Sequence, residues 1–104
     1  MAIDIVVGAG QTNTAKYNFT ADKTVHWRDC QGQNTIYAIG SFGGGTVTFY
    51  AMPDFDDANK IALGLTMTTA GFLSIPAHLG PIKTAGILAV MSGSTGPNLN
   101  LWII

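Results

Sequence analysis

Phe42-Gly43-Gly44-Gly45-Thr46-Val47-Thr48-Phe49-Tyr50-Ala51-Met52-Pro53-Asp54 reads as a loop, a strand and a turn, in that order. Consecutive glycines put the backbone where side chains cannot follow: positive φ, a bulge, or a close approach. The Thr, Val, Phe and Tyr that come next are the residue types that suit a pleated, half-buried surface. Successive side chains of a strand point to opposite faces, so Val47, Phe49 and Ala51 share one face and Thr46, Thr48 and Tyr50 the other. One face is apolar and the other mostly hydroxylic, which places a core on one side only. Pro53 cannot donate to a ladder, and Pro-Asp opens a turn. The stretch predicts the central strand of an all-β domain.

Outward from it the pattern repeats. Ile3 to Val7, Tyr17 to Phe19, Val25 to Arg28 and Thr35 to Gly40 read as short strands on the N-terminal side. On the C-terminal side, Lys60 to Leu65 pairs back on the central strand as a hairpin. Thr66-Met67-Thr68 and Phe72 to Ile75 flank Thr69-Ala70-Gly71, which reads as a second hairpin turn. Ala85 to Met91 is apolar with little alternation, the mark of a buried strand. Leu99 to Ile104 closes the series, with Leu99, Leu101 and Ile103 expected in the core and Trp102 on the second face. Asp57 to Leu65 is the best competing helix, and Gly64 and the missing opposite face count against it. About eight or nine short strands, with turn signals every eight to twelve residues or so, describe an antiparallel β-sandwich or a jelly-roll-like barrel without significant helix.

The 104 residues make one domain, spanning 1–104. Charged residues are 11% of the chain, against a usual figure of roughly 25%. A surface this poor in charge repels neighbours weakly, which suits a protein packed against others. The formal net charge is −1. Lys16, Lys23, Arg28, Lys60 and Lys83 are scattered, so no basic nucleic-acid surface is expected. No apolar run approaches the roughly 18 residues a membrane span needs. Met1-Ala2-Ile3-Asp4 has no basic n-region, which predicts synthesis and retention in the cytoplasm. The single cysteine, Cys30, forms no internal disulfide, leaving packing or oligomerisation to hold so small a domain together.

Few constellations carry chemistry. Gly8-Ala9-Gly10 follows a strand, but Asn13 holds the third glycine position of a dinucleotide loop and no helix pattern follows. Gly43-Gly44-Gly45-Thr46 lacks the Gly-Lys-Ser/Thr ending of a phosphate loop. Asp54, Asp56 and Asp57 crowd one turn, yet Ala58 fails the alternation of a calcium loop and the chain has no glutamate. His26, Cys30 and His78 fall short of a zinc set, and a Cys30–His26 pair, with Asp29 as its third member, reads more simply as a buried structural Cys and a half-buried His. The sequence therefore assigns no catalytic, cofactor-binding or metal residue, and no enzyme activity. Asn18-Phe19-Thr20 matches a glycosylation sequon without consequence for a cytoplasmic chain. Tyr17, Trp27, Tyr37 and Tyr50 read first as core packing and second as a sugar-stacking platform on one sheet face.

Three groups of residues recur together: Gly44 to Asp54; a strand ending Leu65-Thr66 followed by Ala70-Gly71-Phe72; and Ala89-Val90-Met91-Ser92-Gly93-Ser94-Thr95-Gly96-Pro97-Asn98-Leu99-Asn100-Leu101-Trp102. In this the chain resembles the small β-sandwich structural proteins of tailed bacteriophages. In those proteins a glycine-led Thr-Val-Thr strand ends in Pro-Asp, and a Ser-Gly-x-Thr-Gly-Pro turn precedes the last strand. The resemblance implies a capsid decoration or cement protein, or an accessory head or tail part, with no catalytic residues to carry over. Cement proteins often reach neighbouring capsid subunits with an N-terminal segment, whereas Ile3 to Val7 here reads as an ordinary strand.

The expectation is a virion protein that binds the outside of a phage head as a homo-oligomer, a trimer before other states. Its partner would be the major capsid protein or another virion protein, with no nucleic acid, membrane or cofactor. The alternative is a carbohydrate- or host-binding module of a tail or fibre, using the aromatic face.

Overall fold

The computed structural model describes residues 3–8, 16–28, 35–54, 56–74 and 86–103. The β-branched and aromatic runs form nine strands among them: β1 Ile5–Gly8, β2 Lys16–Phe19, β3 Thr24–Arg28, β4 Thr35–Ser41, β5 Thr46–Met52, β6 Ile61–Met67, β7 Gly71–Ser74, β8 Gly86–Ser92 and β9 Asn98–Ile103. A 3₁₀ turn at Asp57–Asn59 is the one helical element among the described residues, and it falls within the competing helix of 57–65. The strands build a five-stranded sheet, β1-β3-β8-β5-β6, and a four-stranded sheet, β2-β9-β4-β7. Packed face to face they make an all-β sandwich. Pairing is antiparallel throughout, except that β1 runs parallel to β3.

The core lies between the sheets. Val25, Trp27, Val47, Phe49, Ile87, Ala89 and Met91 enter it from the five-stranded sheet, and Phe19, Ile36, Leu99, Leu101 and Ile103 from the four-stranded one. The Phe19 and Trp27 rings stack across the gap with centroids 6.4 Å apart. Val47 and Phe49 face inward as their alternation requires, and so do Leu99, Leu101 and Ile103.

Two features differ from the sequence reading. The middle strand of the larger sheet is β8, and β5 lies beside it, bonded to β8 on one side and β6 on the other. The cause is burial on both faces of β8. Leu88 is buried on the face away from the core, beside His26, so no polar alternation is needed there. The second difference lies at Thr69-Ala70-Gly71, which is a corner between sheets and no hairpin turn. β6, a single strand through Met67, pairs with β5, while β7 crosses to the other sheet and pairs with β4. That crossing lets Leu73 pack against the core from the sheet opposite Leu65.

The β5–β6 hairpin forms as expected and carries a bulge. Phe49 pairs with Leu65 and Tyr50 with Ala62, leaving Leu63 and Gly64 without partners of their own. Gly64 takes φ 76°, which its missing Cβ permits.

The triglycine is a corner as well. The Gly45 N–H donates to the Phe42 carbonyl at 2.9 Å. Gly43 and Gly44, between them, have φ 59° and 76°, the double positive φ of a type I′ turn. Gly45 is a close approach: a Cβ there would lie 2.8 Å from the Cβ of Ser94. The Thr95 N–H donates to the Gly43 carbonyl at 2.9 Å. The two glycine-rich stretches singled out in the sequence are thus one corner of the sandwich.

Candidate functional site

Alternation along each strand of the four-stranded sheet sends Phe19, Ile36, Ala38, Leu99 and Leu101 inward. It sends Lys16, Asn18, Tyr37, Ile39, Asn98, Asn100, Trp102 and Phe72 outward. Register then aligns the outward residues into rows. Lys16 pairs with Trp102, Trp102 with Tyr37, and Tyr37 with Phe72, so one row crosses all four strands. Asn18, Asn100 and Ile39 form the next row.

Large apolar side chains on this face stay in solvent: Phe72 is 70% exposed, Ile39 61% and Tyr37 42%. The Tyr37 and Phe72 rings lie 6.3 Å apart at 39°. The Lys16 ammonium stands 5.7 Å from the Trp102 ring centroid, a cation–π contact at one end of the row. Beside the rings, Asn18 Nδ2 donates to Asn98 Oδ1 at 3.0 Å and to Asn100 Oδ1 at 3.1 Å.

Of the two readings of Tyr17, Trp27, Tyr37 and Tyr50, core packing, the favoured one, holds for Trp27 and Tyr17, and the four do not share one platform. Trp27 is fully buried in the core, and Tyr17 packs inward against Phe19 with centroids 4.9 Å apart. Tyr50 belongs to the other sheet, with the Lys60 ammonium 5.5 Å from its ring. Only Tyr37 joins the exposed row. Phe72 and Trp102 complete that row, a grouping that local pattern does not show. Their signal was a large apolar residue on the polar phase of its strand; the grouping needs the strand order.

The remaining candidates do not converge. Asp54 and Asp56 act as local caps: Asp54 Oδ1 accepts from the Asp56 N–H at 2.9 Å and Oδ2 from Asn59 Nδ2 at 2.8 Å, and Asp56 Oδ1 accepts from the Ala58 N–H at 3.0 Å. Asp57 begins the 3₁₀ turn. His26 is buried within the larger sheet, while Asp29, Cys30 and His78 lie outside the described residues. Gly8 ends β1, and Gly10 and Asn13 also lie outside them. Among the described residues no group of three or more His, Cys, Asp or Glu is placed to hold a metal ion. No helix of the described chain is long and apolar enough to cross a membrane.

A cleft of about 200 Å³ opens between Asp4, Asp22, Lys23, Thr24, Val90, Met91 and Ser92. Both its carboxylates are engaged by backbone. Asp4 Oδ2 accepts from the Thr24 N–H at 2.8 Å, and Asp22 accepts from the Gly93 and Ser94 N–H groups at 3.1 and 3.0 Å. The Ser94 hydroxyl also donates to Asp22. These bonds, the hydroxyl's first, hold the Asp22 carboxyl below its ordinary pKa.

Comparisons with protein-family models, with curated proteins and with solved structures each find no match.

Proposed function

We propose that this chain is a non-catalytic structural protein that works by packing against neighbouring subunits. In its most specific form it is a virion protein, made in the host cytoplasm, that decorates the outside of a phage head. It assembles as a homo-oligomer, a trimer before other states, on the major capsid protein or another virion protein. The observation that supports this best is the side of β6 that bonds to no other strand among the described residues. It is a seven-residue edge strand without charge or proline, and its Ile61 is 63% exposed. Proteins usually blunt such edges with lysine, proline, a bulge or a very short strand, because an open ladder templates pairing with another chain; of these devices β6 has only the bulge at Leu63 and Gly64. Here a neighbour's strand or side chains would cover it. The low charge of the chain and its resemblance to phage structural proteins point the same way.

Light scattering at micromolar concentration, with and without Ile61→Lys, tests the packing. The wild type should run as an oligomer, and a lysine on the open edge should dissociate it. Co-sedimentation with purified phage heads tests the partner. A wild-type monomer that binds no head sinks the proposal.

A further inference from the structure

We propose that the outer face of the four-stranded sheet is a binding site for an uncharged glycan chain. The site is separate from the β6 edge, which belongs to the other sheet.

Three observations carry it. The first is the row of rings, Trp102, Tyr37 and Phe72, on adjacent strands. Strands lie about 4.8 Å apart, so the rings make an extended track and not an isolated patch. The C–H-rich face of a pyranose packs on an aromatic ring through dispersion and the ring's negative quadrupole, and Tyr37 and Phe72 are exposed enough to offer theirs.

The second is the amide cluster beside the row. Asn100 is two residues from Trp102 on β9, and Asn18 two residues from Lys16 on β2, roughly 7 Å away along each strand. Asn18 Nδ2 occupies the Oδ1 atoms of both Asn98 and Asn100. That fixes both amide oxygens, and each amide keeps its Nδ2 as a hydrogen-bond donor. Fixed amide donors beside an apolar track match the hydroxyls that ring a sugar whose faces are apolar. An apolar protein partner would instead bury these amides, at a desolvation cost it could not recover.

The third is charge. Lys16 is the only charged side chain among the outward-facing residues described on this sheet, and its ammonium rests against Trp102. Among the described residues this face carries no carboxylate to bind a cationic polymer and no second cation to select a polyanion.

The test is affinity electrophoresis of the whole chain in native gels containing hydroxyethylcellulose, soluble xylan or yeast mannan, with heparin as the anionic control. Titrating the retarding polysaccharide while following tryptophan fluorescence gives the affinity. Trp27 is fully buried, so a change reports Trp102. At least one neutral polysaccharide should retard the protein. Phe72→Ala and Tyr37→Ala should each weaken binding about tenfold while the variant still melts cooperatively. Asn100→Ala should weaken it as well. No retardation by any neutral polysaccharide, or undiminished binding by the Tyr37→Ala/Phe72→Ala double variant, overturns the proposal. So does Phe72→Asp converting an oligomer to a monomer, since a second copy would then cover this face. Light scattering on the same wild-type samples reads the edge packing independently.

Discussion

Asp22 and Ser94 are 72 residues apart in sequence, and one carboxylate joins them twice, through the Ser94 N–H and through its hydroxyl. With the Gly93 N–H on the other oxygen, Asp22 holds the loop after β8 from the loop between β2 and β3. Charge-assisted bonds of this kind favour the ionised form, which is why the carboxyl titrates below its ordinary range. A carboxyl whose folded pKa is depressed contributes stability that is present above its unfolded pKa and lost as pH falls through the folded value. The expected window therefore opens at about pH 4 and extends downward. Asp22→Asn should melt below the wild type at pH 7, and the gap should narrow in melts at pH 3 and below. A gap independent of pH would show that the charge is not what Ser94 needs.

Gly86 pairs with Arg28 on the β3–β8 ladder and lies diagonally against the His26 ring, two residues back on β3. A Cβ on Gly86 would lie 2.0 Å from His26 Nε2 and 2.4 Å from the Trp27 carbonyl oxygen. The imidazole can move only by disturbing a buried site, and the carbonyl belongs to a central ladder. Gly86→Ala should destabilise by about 1–3 kcal/mol, the usual range for overpacking. In a His26→Ala background the same change should cost less, because half of the clash is gone. Urea unfolding of the four proteins measures this; strictly additive costs would contradict the contact.

The triglycine separates two kinds of glycine requirement. A Cβ at Gly44 meets nothing within 4 Å, so only its φ of 76° resists substitution. Gly44→Val should cost about 1–2 kcal/mol, while Gly44→Asn, which tolerates the left-handed region, should cost less. Gly45→Ala should destabilise for a different reason, contact with Ser94. Added phosphate should leave the melting temperature of the wild type unchanged. A rise would make the corner a ligand loop.

β9 is bonded to β2 on one side and β4 on the other, so it holds the four-stranded sheet together. Leu101→Ala should cost about 2–5 kcal/mol, the range for emptying a buried leucine site. Removing Leu101 and everything after it should abolish soluble folding. A truncated protein that still melts cooperatively would mean that β2 and β4 can pair without it.

Asp54 and Asp56 spend carboxylate oxygens on their own turn. Melting curves with and without EDTA should therefore superimpose, because a metal that bound only the native state would raise stability by mass action. A drop of several degrees on chelation would reassign the turn.

Period-two alternation made the strands and their inward faces legible: Val47 and Phe49, and Leu99, Leu101 and Ile103, were placed in the core from local pattern alone. That works because a side chain's direction in a strand depends only on its position in the chain. The glycine corner was legible as a backbone requirement for the same local reason. Which strand stands in the middle, whether Thr69-Ala70-Gly71 closes a hairpin or crosses between sheets, and which aromatic residues share a face were decided by the tertiary structure. Each depends on pairing between distant segments. Tyr37, Trp102 and Phe72 form a row only because β4 lies between β9 and β7, and Trp27 is core and not platform because β3 turns it inward. Local sequence dictated where each side chain points; the order of strands, set by the burial of β8 on both faces and of β9 on one, dictated what it points beside.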